Sequence, residues 1–181
     1  MIWWRPSPQV ATIDRLYGTI VAQARLPVFY TDYDVADTLE GRFEMLVLHQ
    51  ALTARRLASY PVLRPLGAAL FDRFCRDLDH NLREMGVTDL GVPKKMHGFA
   101  AAYFGRARIY EQALNAGAAA DCEAAIARNV FGQQTPGPGA RRLAHYMGEA
   151  ARALDDSAAS SLSRGELSFP DPATIPMAAA A

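Results

Sequence analysis

Apolar residues recur at three- and four-residue steps along most of the chain. Val10, Ile13, Leu16, Tyr17, Ile20, Val21 and Ala24 make one stripe, with Asp14, Arg15 and Gln23 opposite it. That spacing predicts an amphipathic helix, and Pro27 ends it. "PVFYTDYDVADT" follows, too rich in Asp for a strand, and is read as a loop. Asp37 precedes Leu39 with Glu40 three residues on, the pattern of a capping box. The second helix runs from there to about Ala58. Its segment "EMLVLH" is apolar nearly all round, which predicts burial on several sides.

"SYPVLRP" is a corner. The third helix carries Leu66, Leu70, Phe74, Leu78, Leu82 and Met85 on its apolar stripe. A fourth starts at Pro93, a favoured first helical position, with Met96, Phe99, Ala100, Tyr103, Tyr110 and Leu114 on its stripe. A fifth covers Asp121 to about Phe131, capped by Asp121. "GQQTPGPG" is a linker, and a sixth helix covers Ala140 to about Leu154. The expectation is an all-α single-domain bundle of about six helices over residues 1–156. From Ser157 the composition shifts to Ser, Ala and Pro, which predicts an extended or disordered tail over 157–181.

"LREMGVTDLGVPKK" (82–95) turns the third helix into the fourth. Gly86 suits the left-handed position after a helix end. Asp89 is expected to accept backbone N–H bonds in the turn. Val87 and Leu90 are expected to fold back into the core, and Val92 to sit outside the helical region before Pro93. Arg83, Glu84, Lys94 and Lys95 are left without a structural duty, so the corner is expected to display them to a partner.

The chain has 181 residues, half of them hydrophobic, enough for one core. Lys plus Arg and Asp plus Glu both number 19, which argues against a broad nucleic-acid surface. Cys75 and Cys122 have no zinc or disulfide spacing and read as small buried hydrophobes. The start "MIWWRPSP" is not a secretory signal, and "MLVLHQALTA" is too short to span a bilayer. A soluble cytoplasmic protein is expected.

Candidate chemistry is sparse. His49, within an apolar helix, reads as a hydrogen-bonded core or groove histidine. Asp72, Asp79 and His80 lie on one helix and raise the alternative of a metal-dependent all-α enzyme of isoprenoid or quinone metabolism. Arginines interleave at pairing distance there, however, so a solvated salt-bridged face accounts for them. No metal site is expected. No nucleophile with its base appears, nor any phosphate loop. The residues therefore favour a binder over an enzyme. Trp3, Trp4, Phe29, Tyr30, Tyr33 and Phe104 lie off the main stripes, where aromatics either anchor a partner or cap the bundle.

Three stretches carry a family resemblance: "IVAQARLPVFYTDYDVADTLEGRFEMLVLHQALTARRL", "FDRFCRDLDHNLREMGVTDLGVPKKM" and "FGRARIYEQAL", together spanning 20–114. In content and order they resemble the ubiquinol–cytochrome c chaperone family, of the alphaproteobacterial type. The resemblance implies a non-catalytic assembly factor for the ubiquinol–cytochrome c reductase complex, with no cofactor. Its implied client is newly made cytochrome b, and a ribosome or inner-membrane contact and a small partner protein belong to the family picture. Such a factor needs apolar surface rimmed by charge. Phe29, Tyr30, Asp32, Arg42, Arg83, Glu84, Lys94, Lys95 and Arg106 are the residues expected to meet the partner, at or near the cytoplasmic face of the membrane.

Overall fold

The computed structural model of the chain describes residues 7–176, and Trp3 and Trp4 lie outside them. The fold is all-α. Six long helices carry it: α1 (Pro8–Ala24), α3 (Leu39–Ala58), α4 (Arg64–Glu84), α5 (Val92–Ala116), α6 (Ala119–Val130) and α7 (Pro138–Asp155). Two short helices, α2 (Val28–Thr31) and α8 (Ala159–Ser163), sit beside them.

α3 is the central element, packed on α1, α4, α5, α6 and α7. The near-continuous apolar run explains this position, because a helix without a polar face must be covered on every side. Met45, Val47, Leu48, His49, Gln50 and Leu52 are all buried. Each fully buried large apolar side chain adds ~1.5–3 kcal/mol. α4 turns Leu66, Leu70, Phe74 and Leu82 inward, while Met85 at its end stays outside, 53 % exposed.

Several local expectations change. The cap of α3 is Thr38, whose hydroxyl accepts from the Gly41 N–H, because Asp37 is taken by Arg42 instead. Asp121 lies in the first turn of α6 and Ala118 holds the cap position. The Asp-rich loop contains α2, one helical turn that buries Phe29. α5 begins at Val92, which is helical and buried, with Pro93 second.

The corner after α4 closes as foreseen at Gly86, which has φ +80°. The Val87 N–H reaches the Leu82 carbonyl and the Gly86 N–H the Arg83 carbonyl, the two bonds of a Schellman ending. Other parts differ. Leu90 is 94 % exposed, so it does not return to the core. The Asp89 carboxylate pairs with Arg83, which also holds Asp79. Arg83 therefore has a structural duty, tying the end of α4 to its own turn.

The segment after α7 is irregular apart from α8 and one 3-10 turn at Pro172–Thr174. Its described part is held against the bundle, with Leu162, Pro172 and Ile175 buried.

Candidate functional site

α1, α3, α4 and α5 do not close completely over one another. Between them lies a groove of about 550 Å³. Val21 comes from α1, Leu39, Phe43 and Leu46 from α3, Leu78 and Leu82 from α4, and Phe99 from α5. These are stripe residues of four different helices. Where four such stripes meet with a gap, apolar surface remains open. The rings of Phe43 and Phe99 stand 4.9 Å apart and form the aromatic part of the lining. Leu39, 59 % exposed, and Met85 mark the mouth.

Charge rims this groove. Of the residues expected to meet a partner, Arg42, Glu84 and Lys95 line it. Arg42 pairs with Asp37 at 2.6 Å and lies over the Tyr30 ring at 5.7 Å. That hydrogen bond holds the exposed Asp37 carboxyl below its ordinary range. Glu84 sits 3.2 Å from His80 on the next turn of α4. Arg106 reaches the groove indirectly. Its guanidinium grips Glu44, a largely buried carboxylate of the lining. Burial pushes the Glu44 carboxyl up, and the Arg106 bond offsets only part of that.

The other expected residues lie elsewhere. Phe29 is wholly buried, edge-on to Tyr33, His49 and Tyr146, so its ring belongs to the core and not to the surface. Asp32 ends α2 and offers its carbonyl to Arg142 at 2.9 Å. Tyr30 is half-buried behind the rim. Lys94 is exposed outside the groove, and neither Lys94 nor Lys95 makes an ion pair among the described residues. Phe104 is 57 % exposed on α5, its ring tilted against that of Phe71 at 4.9 Å.

His49 is a hydrogen-bonded core histidine. Nδ1 meets the Met45 carbonyl at 2.7 Å and Nε2 the Tyr146 hydroxyl at 2.8 Å. The Met45 carbonyl can only accept, so Nδ1 carries the imidazole hydrogen and Nε2 accepts from the Tyr146 hydroxyl, which itself accepts from Gln23 at 3.0 Å. Burial drives its pKa down to about 4, opposed by the Met45 bond.

Asp79 is engaged by Arg83 and His80 by Glu84. Among the described residues no three His, Cys, Asp or Glu side chains group as metal ligands. A second cleft, about 570 Å³, separates α5, α6 and α7. Its lining is mostly small side chains, such as Ala113, Ala144 and Gly148, and it contains none of the residues expected at a partner surface. The first groove joins large apolar side chains to a charged rim.

Residues 31–169 match the family model described as ubiquinol-cytochrome C chaperone. The crystal structure of the Cbp3 homolog from Brucella abortus is similar throughout, with a TM-score of 0.85 and 36 % sequence identity. The match covers 93 % of this chain and 94 % of that one. No curated protein matches.

Proposed function

The chain belongs to the ubiquinol-cytochrome C chaperone family, and we propose that its groove between α1, α3, α4 and α5 shields apolar segments of newly made cytochrome b. Family membership supports an assembly chaperone for the ubiquinol–cytochrome c reductase complex. The observation that carries the finer reading is the apolar lining of Phe43, Leu46 and Phe99 under a rim that includes Arg42, Glu84 and Lys95.

A groove of about 550 Å³ lies in the size range of ligand pockets, about 300–1,000 Å³. It suits one face of a client helix presenting anchors at i, i+3 or i+4, and i+7. Apolar anchors contribute ~2 kcal/mol each against an association cost of at least ~4 kcal/mol, so contacts with the charged rim must add to the lining for the complex to be held, and it stays reversible. Weak holding is what an assembly chaperone needs, because the client must leave for the membrane. No helix among the described residues is long and apolar enough to cross a membrane. The proposal places the protein in the cytoplasm, with Lys94 and Lys95 toward the anionic inner face of the membrane. The role is non-catalytic.

The test is capture of cytochrome b from respiring cells of the source organism by the tagged protein, read by mass spectrometry. Leu39→Asp with Met85→Asp places charge at two exposed positions of the mouth, so the fold is kept. Capture is expected to drop at least tenfold, with the thermal midpoint within a few degrees of wild type. Undiminished capture by a folded double variant would show that the client docks elsewhere.

A further inference from the structure

The irregular segment after α8 is held by side chains of the bundle through its backbone carbonyls. Arg15 donates to the Arg164 carbonyl from Nε at 3.0 Å and from Nη2 at 2.8 Å. Gln23 donates to the Pro170 carbonyl at 3.0 Å, Tyr33 to that of Pro172 at 2.6 Å, and Arg142 to that of Ile175 at 3.2 Å. Phe169 lies edge-on to His49 at 5.0 Å. Prolines have no N–H to offer, so carbonyl recognition suits a segment that carries Pro170 and Pro172. The segment is a strap.

What the strap holds is α2. Four helical residues are too few to be stable by themselves. On one side, Tyr33 bonds the strap, while Arg142 lies 4.2 Å above the Tyr33 ring and donates to both the Asp32 and the Ile175 carbonyls. On another, the Tyr30 hydroxyl donates to the Ala24 carbonyl at 2.8 Å and its ring takes the Arg42 guanidinium. Ala24 and Arg42 both line the groove.

We infer that the strap positions the groove. Docked, it holds Tyr33 directly and Asp32 through Arg142, which bonds both; α2 in turn holds Tyr30, and Tyr30 braces the Ala24–Arg42 wall. Tyr33 and Arg142 are positioning residues: neither lines the groove, yet both set its shape. The inference rests on the groove being the client site. It also gives "VFYTDY" a different part from the one its aromatics imply, a brace in place of a contact surface.

Tyr33→Phe in the full chain removes one hydroxyl and keeps the ring under Arg142. Two readouts decide the matter: hydrogen exchange at the Tyr30, Thr31 and Asp32 amides, and capture of cytochrome b. Exchange is expected to quicken, and capture to weaken, by roughly fivefold each, the factor that corresponds to one net hydrogen bond of ~1 kcal/mol. The thermal midpoint should move only a few degrees. Leu39→Asp serves as the direct groove variant and should weaken capture with α2 exchange at the wild-type rate. Unchanged α2 exchange in Tyr33→Phe overturns the inference, as does quickened exchange with undiminished capture while Leu39→Asp is defective. Undiminished capture by Leu39→Asp strikes the groove reading itself, and the inference with it.

Discussion

His49 makes the fold sensitive to mild acid. In the unfolded chain a histidine titrates near 6.5, whereas in the fold burial holds His49 at about 4. The folded value is the lower one, so the unfolded chain takes up the proton first. Stability is therefore intact above pH 6.5 and is lost as pH falls from there toward 4. At 1.36 kcal/mol for each pH unit separating the two values, the full effect is ~3 kcal/mol. Between pH 7.5 and pH 5 about 2 kcal/mol of it is withdrawn. The structural cause is specific. Burial of the whole ring disfavours the charged imidazolium, and the Met45 carbonyl, which accepts from Nδ1, offsets only part of that cost.

The assay is urea unfolding at pH 7.5 and pH 5.0 for the wild type and His49→Gln. Glutamine keeps a polar side chain in the site and does not titrate. His49→Gln is expected to start less stable and to lose about 2 kcal/mol less than wild type between the two pH values. Comparing the two proteins removes the contribution of other groups. Glu44 is one such group: its raised pKa works in the opposite sense, adding stability as pH falls. Equal losses in the two proteins, with equal denaturant slopes, would refute the argument, since His49 would then not be the buried neutral group described.

Two further outcomes follow from packing. Gly41→Ala should be strongly destabilising, by more than ~2 kcal/mol, because a Cβ there would lie 2.0 Å from the Ala36 carbonyl oxygen; Thr38→Ala beside it should cost only about 1 kcal/mol, the usual worth of a helix cap, and urea midpoints separate the two. Phe74→Ala, which empties a fully buried site stacked near Phe43 and Tyr103, should cost ~3–5 kcal/mol, measured the same way; a cost below 1 kcal/mol would mean that this part of the core is not closely packed.

The helices were legible because each carries a stripe that recurs with the helical period. The features that escaped are those decided by competition or by distant residues. Asp37 and Thr38 are both good caps, and what decides between them is Arg42, which occupies the Asp37 carboxylate. α2 has only one turn, too short to show a period. The composition after Ser157 reads correctly as irregular. It cannot show that Gln23 and Tyr33, 147 and 139 residues from their acceptors, hold that segment in place.

Of the groove, the sequence showed three rim charges among seven charged candidates and none of the apolar lining, for a physical reason. Arg42, Glu84 and Lys95 stand out because a charge on a helix must reach water, so its exposure can be inferred locally. Phe99, Leu78 and Val21 cannot be separated from core residues, since each lies on the same stripe that packs its helix. Whether a stripe residue is covered depends on how closely four helices approach, and no single helix encodes that distance. The aromatic loop shows the same ambiguity in reverse. Phe29 and Tyr33 look like exposed anchors, but the short connection from α1 to α3 carries them across His49 and Tyr146. There they plug the core, and only Tyr30 is left facing the groove wall. An aromatic in a loop is thus an anchor or a plug according to what its loop crosses, and here that is the buried polar pair of α3 and α7.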